Sequence, residues 1–491
     1  MKKSRDGAAG RTWLAVVLAF FMLAGMPGAQ ALEALPDRIT EPHFDDIDGM
    51  AKRRYVRALV YWSKTDYYIV NGRQYGYAYE MGQALEKYLN TKLKRGKRPI
   101  SVIMVPVSRD KLVSYLEQGR GDIALAGLRD TAARDRIDFA SPIAEQVSEV
   151  VVRYKEAPAI RSEADISGKI FHLRPSSSYF ETLKQINARL QAQGKASARV
   201  EYLNENLADS DIMEMMNAGL INYTILDDFR GRLWDKQFPG VQQDSDFPLL
   251  KDQSISFGLR KNTPKFKALV DGFMKGHRKG TQLGNVLTQR YYGSDRNMKN
   301  VLSPAEMQRF RSMVVIFKKY AVQYDFDYLL LTAQGYQESG LNQKQRSHVG
   351  AIGVMQVMPA TGKAMKVGNI YQLNPNIHAG TKYMHHLATT YFNEPELDSF
   401  NRTLLCFAAY NAGPTRMSAL RKQAKARGLN PNIWFDNVER VVAEKVGRET
   451  VQYVTNISKY YVAYKLVEEQ EASRLDAKSA LDAAAKKSAT P

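Results

Sequence analysis

Four short motifs in the last third of the chain constrain its fold more than any other feature. They occupy residues 337–340, 350–361, 408–414 and 449–454 and read QESG, GAIGVMQVMPAT, AAYNAGP and ETVQYV. The first motif supplies one carboxyl group, that of Glu338, and the next two are polar segments punctuated by glycine. Their order therefore places a single acid ahead of two segments whose backbone can approach a bound molecule closely.

The surroundings of Glu338 suit a proton donor. Either Asp325 or Asp327 can cap a helix that begins near Tyr328, and Gly340 suits the end of that helix. Glu338 would then lie near the negative, C-terminal end of the helix dipole, which favours the protonated acid. If apolar side chains also shield the carboxyl, burial raises its pKa further, toward the range of a general acid.

Acidic residues are missing after Glu338. No Asp or Glu occurs from residue 339 to residue 393. Ordinary glycosidases place two carboxyl groups around the scissile bond. A site with one carboxyl must either let the substrate supply the nucleophile or use an acid from a distant part of the chain.

The four motifs resemble those of lytic transglycosylases with a goose-lysozyme-like fold. The resemblance implies that Glu338 protonates the β-1,4 glycosidic oxygen between N-acetylmuramic acid and N-acetylglucosamine of peptidoglycan. The same residue then takes a proton from the C6 hydroxyl, which leaves a 1,6-anhydromuramoyl end. The resemblance also implies substrate-binding roles for Ser339, Gly353, Met355, Gln356, Tyr410, Asn411 and Tyr453.

These residues have individual expectations and alternatives. Ser339 would help to orient the substrate, Met355 and Gln356 would line the cleft, and the Tyr453 hydroxyl would point at the catalytic carboxyl. Tyr410 and Tyr453 also fit the apolar faces of their helices. Two other functions stay open: a lysozyme-type hydrolase that uses a distant second acid, and a non-catalytic sensor that only binds the wall.

The first half of the chain has an α/β pattern. Residues 55–62 and 100–107 are predicted strands, and residues 76–82 lead into a helix. Alternation of this kind predicts a mostly parallel sheet. Residues 119–142 resemble family-3 periplasmic solute-binding proteins, and the similarity runs from about residue 50 to 290, with a second lobe over 166–225 and a return strand at 254–260.

In that family an arginine near Arg134 clamps the α-carboxylate of the ligand, as a guanidinium fork can. The chain departs from the pattern because Arg129 stands where amino-acid binders carry a small hydroxyl residue. We therefore expect a muropeptide as ligand in place of a free amino acid. The alternative is that Arg134 only bridges surface carboxylates such as Asp135 and Asp138.

These patterns divide the chain into several parts. Residues 1–31 resemble a cleaved signal peptide, with a basic start, a short apolar run and small residues before Leu32. We expect an α/β two-lobed periplasmic-binding-protein fold over 45–292, a linker over 293–303, a mainly α goose-lysozyme-like domain over 304–470, and a disordered or lightly helical tail over 471–491. Met26 stands where a lipoprotein would need a cysteine.

Charge and composition limit the classes of molecule that the chain is expected to bind. The net charge is +19, and it falls to +16 when residues 1–31, with four basic residues and Asp6, are removed. No nucleic-acid-binding motif organises the basic residues. Peptidoglycan strands and an anionic membrane surface are the expected partners, at a periplasmic location on the outer membrane. The histidines and the single Cys406 form no metal-ligand pattern, so no metal or cofactor is expected.

Overall fold

The computed structural model describes residues 39–129, 135–293 and 304–488. Within these ranges the chain forms a two-lobed α/β domain followed by a mainly helical domain, which confirms the predicted fold class. The predicted signal peptide and nearly all of the predicted linker lie outside the described residues.

The front domain contains the following elements in chain order: α1 (Ile47–Arg53), β1 (Tyr55–Val60), β2 (Tyr68–Val70), β3 (Arg73–Tyr75), α2 (Tyr77–Lys92), β4 (Ser101–Pro106), α3 (Lys111–Glu117), β5 (Ile123–Arg129), β6 (Asp138–Phe139), β7 (Ala144–Tyr154), β8 (Ile170–Leu173), α4 (Ser178–Ala192), β9 (Arg199–Tyr202), α5 (Asp209–Asn217), β10 (Tyr223–Asp227), α6 (Asp228–Gln237), β11 (Val241–Asp244), β12 (Leu250–Leu259), α7 (Pro264–Met274) and α8 (Gln282–Tyr292). The two strands and the helix predicted between residues 55 and 107 are confirmed within about two residues at each end.

One sheet joins the two lobes, in the strand order β10-β7-β12-β5-β1-β4. β1 is parallel to β4 and β5 because helical crossovers connect these strands. β12 runs antiparallel to β5 and β7, and β10 runs antiparallel to β7. The prediction of a mostly parallel sheet is therefore wrong: β7 and β12 carry the chain into and out of the second lobe, and their return direction makes the sheet mixed.

The helical domain packs against the first lobe. Its elements are α9 (Pro304–Tyr324), α10 (Tyr328–Ser339), α11 (Pro359–Met365), α12 (Leu373–Thr390), α13 (Ser399–Ala412), α14 (Pro414–Ala426), a π-helical turn (Trp434–Val438), α15 (Glu439–Lys445) and α16 (Arg448–Ser488). All six residues of β4 are buried, as suits a strand covered on both faces. Leu59 and Val105 of the first lobe share one core with Leu404 and Phe407 of α13.

The tail expected to be disordered or lightly helical continues helix α16 as far as Ser488. The helix is 41 residues long, and residues 474–478 contact the front domain. Ala477 is buried in the core of the second lobe, and Arg474 and Lys478 form ion pairs with helix α5. A tail rich in Ala, Lys and Ser cannot form a core of its own, but it can cover another domain, which the composition did not reveal.

Candidate active site

Helix α10 presents Glu338 in its last turn. Asp327 is the N-cap, and its carboxylate accepts the Leu329 N–H at 2.7 Å. Asp325, the other candidate cap, lies before the helix with a left-handed φ of 56°. Gly340 follows with a φ of 61° and ends the helix. These two ends fix where along the helix the carboxyl of Glu338 stands.

The Tyr453 hydroxyl from α16 donates a hydrogen bond to Glu338 Oε1 at 2.5 Å. Burial raises the pKa of Glu338 to about 7, although the Tyr453 hydrogen bond, which favours the carboxylate, acts in the opposite direction. Gln334 stands one turn before Glu338, and its side-chain amide donates to the Tyr453 oxygen at 3.4 Å. A group with a pKa near 7 can give up a proton in one step and accept one in the next.

Glu338 has no acidic partner within the described residues. Burial and the Tyr453 hydroxyl are the influences that shift its pKa, and no second carboxyl contributes to the shift. A like charge nearby would have raised the pKa further. The arrangement is that of a site with a single acid.

Hydrogen bonds connect the second motif, residues 350–361, to the end of α10. The Ser339 hydroxyl donates to the Val354 carbonyl at 2.9 Å, and the Gln343 side-chain oxygen accepts the Val354 N–H at 3.1 Å. Gly353 has a φ of 76°, and an added Cβ would come within 2.6 Å of the Gln343 amide. A glycine is therefore required at this position, because the backbone conformation and the close approach both exclude a side chain.

Asn376 holds the same loop from the other side, and sequence reasoning missed it. Its side chain is fully buried in α12, accepts the Met355 N–H at 2.9 Å and donates to the Ile352 carbonyl at 2.7 Å. The available signal was an asparagine inside a helix, where it is intrinsically disfavoured unless its amide has partners.

Met355 does not line the cleft with its side chain, which corrects that expectation. The side chain is fully buried, and a Cβ added at Gly380 would come within 2.6 Å of the Met355 Cβ. Met355 takes part through its backbone, since its carbonyl accepts the Tyr410 hydroxyl at 2.7 Å. The loop follows a sharp turn at Gln356, whose φ is 43°, and this turn directs Met355 inward.

The remaining motif residues have the following surroundings. Tyr410 is half-buried and packs against Tyr383 with ring centroids 5.4 Å apart. Gln356 donates its amide to the Gly353 carbonyl at 2.8 Å. Asn411 is exposed, and its side-chain oxygen accepts the Thr450 hydroxyl at 2.7 Å. The exposed amide of Asn411 is thus positioned by the fourth motif.

The cleft of the front domain holds buried ion pairs. Arg134 lies outside the described residues, so its predicted role has no structural description. Arg129 is buried between Glu149 and Asp227, and its guanidinium also lies 5.4 Å from the Tyr179 ring centre. Arg129, which stands where amino-acid binders carry a small hydroxyl residue, thus forms ion pairs with acids of the protein itself.

A second ion pair joins the lobes. Arg230 of the second lobe donates two hydrogen bonds of 3.0 Å to Asp66 of the first, and Asp66 also accepts the Tyr292 hydroxyl at 2.6 Å. Burial alone would raise the pKa of Asp66, but the Arg230 guanidinium outweighs it and holds the pKa well below its usual range. This pair keeps the lobes together.

Comparisons with known proteins identify both halves. Residues 315–433 match the family model of the Transglycosylase SLT domain, and residues 61–294 match that of the Bacterial extracellular solute-binding proteins, family 3. The chain thus contains a region similar to SLT-domain transglycosylases, preceded by a region similar to family 3 solute-binding proteins. The fourth motif lies beyond the matched range, so its link to Glu338 comes from the hydrogen bond of Tyr453.

Relatives with the same layout are named Membrane-bound lytic murein transglycosylase F. The one from Desulfosudis oleivorans is 25% identical and covers 80% of this chain and 86% of its own length. The one from Shewanella halifaxensis is 28% identical over 79% and 80%. Among solved structures, an ancestral arginine-binding protein bound to arginine aligns with 49% of this chain and 100% of its own, at 18% identity and a TM-score of 0.41.

Neither a metal site nor a membrane span is found in the described part of the chain. Residues 39–129, 135–293 and 304–488 contain no group of three or more metal-ligating His, Cys, Asp or Glu side chains. In the same ranges, none of the helices combines the length and apolarity that a membrane crossing requires.

Proposed function

We propose that this protein cleaves the β-1,4 bond between N-acetylmuramic acid and N-acetylglucosamine without water and leaves 1,6-anhydromuramoyl ends. The observation that carries the proposal is the single shielded carboxyl of Glu338, whose pKa is raised to about 7 and whose only hydrogen-bond partner among the described side chains is Tyr453.

The proposed reaction uses one residue twice. Glu338 donates its proton to the glycosidic oxygen, the bond from that oxygen to C1 of the muramoyl residue breaks, and the N-acetylglucosamine hydroxyl departs. The C6 hydroxyl of the muramoyl residue then bonds to C1 and passes its proton to the Glu338 carboxylate. The acid is restored, and the atoms balance without a water molecule.

The substitution Glu338→Gln tests this role. It removes the proton donor but keeps the size of the side chain, so we expect cleavage of purified peptidoglycan to fall by at least about 10²–10⁴-fold while sedimentation with sacculi persists. Glu396→Gln, at an exposed glutamate of the same domain, is the matched control. Turnover of Glu338→Gln within tenfold of the wild type would refute the assignment.

Mass spectrometry of the products separates the alternatives. Anhydro ends, lighter than reducing ends by one water, support the transglycosylase. Reducing ends would identify a hydrolase, and strand binding without either product would identify a non-catalytic sensor.

The proposed location is the periplasm, in peripheral contact with the outer membrane. The name of the relatives places them at a membrane, and the predicted cleavage before Leu32 with Met26 at the lipoprotein cysteine position supports attachment without lipid. N-terminal sequencing of the envelope fraction and palmitate labelling test this. Retention of residues 1–31, or a labelled protein, would contradict it.

The front domain is proposed to bind a muropeptide and to change the rate at Glu338. The cleft between the lobes is lined by Trp62, Arg109, Arg174 and Arg474, and also by Glu205 and Asp209. Arg174 and Arg474 pair with Asp209 and Asp211, so Arg109 is the guanidinium that would meet a carboxylate of the peptide. The cleft volume of about 20 Å³ holds about one water molecule, so a peptide enters only when the lobes separate.

Helix α16 supports the proposed coupling because it contacts both the cleft and the acid. Arg474 lies 4.1 Å from the Trp62 ring centre in the first lobe and pairs with Asp211 in the second at 2.9 Å. Separation of the lobes changes these contacts on the helix that carries Tyr453.

Titration of the full chain with a muropeptide, followed by cleavage assays, tests the coupling. We expect a change in rate of about 5- to 150-fold on binding. Arg134→Ala should weaken binding, whereas Lys478→Ala, which removes the ion pair of α16 with Glu214 outside the cleft lining, should keep binding and reduce the change in rate. Glu469→Ala, exposed on the same helix, is the control. If binding occurs and the rate stays constant, the front domain only tethers the enzyme.

A further inference from the structure

A cavity of about 430 Å³ lies between the front domain and the catalytic domain. Protein interiors contain few voids larger than a water molecule, and sites for small ligands measure roughly 300–1,000 Å³. The described residues that line it come from α1, β1 and β4 on one side and from α13, α15, α16 and the π-helical turn on the other. It is separate from Glu338 and from the cleft between the lobes, whose linings share no residue with it.

Most of the cavity wall is apolar. The apolar lining residues are Ile39, Tyr55, Ile103, Phe400, Phe435 and Val462. Two hydroxyl residues on α16 add little polarity, since Thr455 donates to the Val451 carbonyl at 2.9 Å and Ser458 donates to the Val454 carbonyl at 3.0 Å. A sugar or a peptide would leave its own polar groups without partners against such a wall, which is costly.

One part of the lining is cationic, because Arg53 and Arg54 border it. The terminal nitrogens of Arg53 bind carboxylates of the front domain, and those of Arg54 bind Glu439 and a backbone carbonyl. The Nε atoms of both arginines and the Ser101 hydroxyl are fully buried, so a ligand in the cavity does not reach them.

Lys52 completes the cationic part. It lines the cavity, its side chain is exposed, and no ion pair is recorded for it within the described residues. The two acids in the lining are already engaged, because Glu439 pairs with Arg54 and Asp436 pairs with Arg98. The charge left for a ligand to meet is therefore positive.

We propose that this cavity binds a monoacyl carboxylate, which is a single apolar chain that ends in one anionic group. The carboxylate would meet Lys52 at the cationic part of the lining. The chain would lie along Ile103, Phe435 and Val462. Charge complementarity at one end and apolar walls elsewhere select this class over neutral or cationic amphiphiles and over saccharides.

Such a ligand would contact both domains at once. A molecule that binds only the folded, docked chain stabilises it in proportion to the logarithm of its concentration over the dissociation constant. We therefore expect saturating ligand to raise the thermal midpoint of the full chain, and this readout is independent of peptidoglycan cleavage.

Calorimetric titration of the full chain with octanoate, decanoate and dodecanoate, each below its micellar concentration, tests the proposal. Each added methylene should tighten binding about fourfold until the chain fills the cavity, from about 0.8 kcal/mol per buried methylene. Dodecanol should bind more weakly than dodecanoate, because it lacks the charge that Lys52 and the arginines meet.

Two variants locate the site. Ile103→Phe fills the cavity with an apolar ring and should weaken dodecanoate binding about tenfold or more. Lys52→Glu, on the surface, should weaken it by up to about fivefold. Lys236→Glu on the second lobe, an equal change of charge at an exposed lysine outside the lining, should leave it unchanged.

The proposal is overturned if dodecanoate fails to bind more tightly than about 1 mM, if dodecanol binds as tightly, or if neither Ile103→Phe nor Lys52→Glu weakens binding. A second experiment measures binding of the full chain to phosphatidylglycerol vesicles. Binding to vesicles without binding of dodecanoate would indicate a membrane-contact surface and would also reject the cavity site.

Discussion

Replacing Tyr453 with phenylalanine removes one hydroxyl and keeps the ring, so it isolates the hydrogen bond that Glu338 accepts at 2.5 Å. Hydrogen bonds to charged groups contribute about 1.5–3 kcal/mol, and one pKa unit corresponds to about 1.36 kcal/mol. Because the Tyr453 hydroxyl favours the carboxylate, its loss should raise the pKa of Glu338 from about 7 to about 8–9.

The sign of the effect on activity follows from the proposed roles. The free enzyme must hold Glu338 protonated, so kcat/KM declines as pH rises through its pKa. In Tyr453→Phe this alkaline decline should move upward by about 1–2 pH units. Below the pKa the rate should fall by about 10- to 100-fold, because the carboxylate that forms as the proton leaves has lost its hydrogen-bond donor.

The assay is the initial rate of release of anhydro products from purified sacculi between pH 5 and pH 10. Tyr460→Phe is the matched control, since Tyr460 lies on the same helix, packs edge-on against Tyr336 with centroids 4.8 Å apart, and has no recorded contact with Glu338. An alkaline limb in Tyr453→Phe that lies within about half a pH unit of the wild type would refute the argument.

Two further outcomes concern stability. The folded-state pKa of Glu338 is raised from 4.5 to about 7, so the folded form loses stability as pH rises through this window. Glu338→Gln should therefore raise the free energy of unfolding at pH 8.5 by up to roughly 3 kcal/mol, measured as a higher urea midpoint, and give no gain below pH 4.5. Asp66→Asn removes the first-lobe carboxylate from Arg230, which keeps Asp209 and Asp227 of the second lobe, so we expect a loss of about 1.5–3 kcal/mol in the front domain and a larger radius of gyration by small-angle X-ray scattering. An unchanged radius would show that other contacts hold the lobes together.

The sequence predicted those parts of the active site that depend on local pattern. The end of α10 at Gly340, the cap at Asp327 and the burial of the strands around residues 55 and 101 all follow from neighbours in the chain. Gln343 and Asn376 could not be found this way. Their roles come from hydrogen bonds to the loop at residues 352–355. The Gln343 bond forms when this loop folds against the segment after α10, and the Asn376 bond forms when the loop packs on α12.

Met355 and the end of helix α16 are places where the sequence pattern predicted the wrong surroundings. The motif around Met355 resembles a cleft-lining segment, but the turn at Gln356 directs the side chain into the core. The composition after residue 470 is typical of a chain without a core, yet Ala477 is buried against the second lobe. In both cases the deciding contact joins segments that are distant in sequence, and neither periodicity nor composition reports such contacts.

Helix α16 contacts the acid, the first lobe and the cleft between the lobes. The strength of these contacts limits the free energy by which the two domains can be coupled. Tyr453 binds the acid, Lys459 pairs with Glu86 of the first lobe at 2.7 Å, and Arg474 reaches the cleft about 30 Å further along, at a rise of about 1.5 Å per residue.

The contacts at the cleft end set the scale of that coupling. The cation–π contact of Arg474 with Trp62 contributes about 0.5–2 kcal/mol. The partly exposed pair between Lys478 and Glu214 adds at most about 1 kcal/mol. A ligand that opens the lobes can change the equilibrium of the helix only by the contacts it breaks. Together with the Arg474–Asp211 pair, these contacts allow a coupling free energy in the usual range of about 1–3 kcal/mol. This range corresponds to a change in rate of roughly 5- to 150-fold, so a much larger activation by a muropeptide would require a second route between the domains.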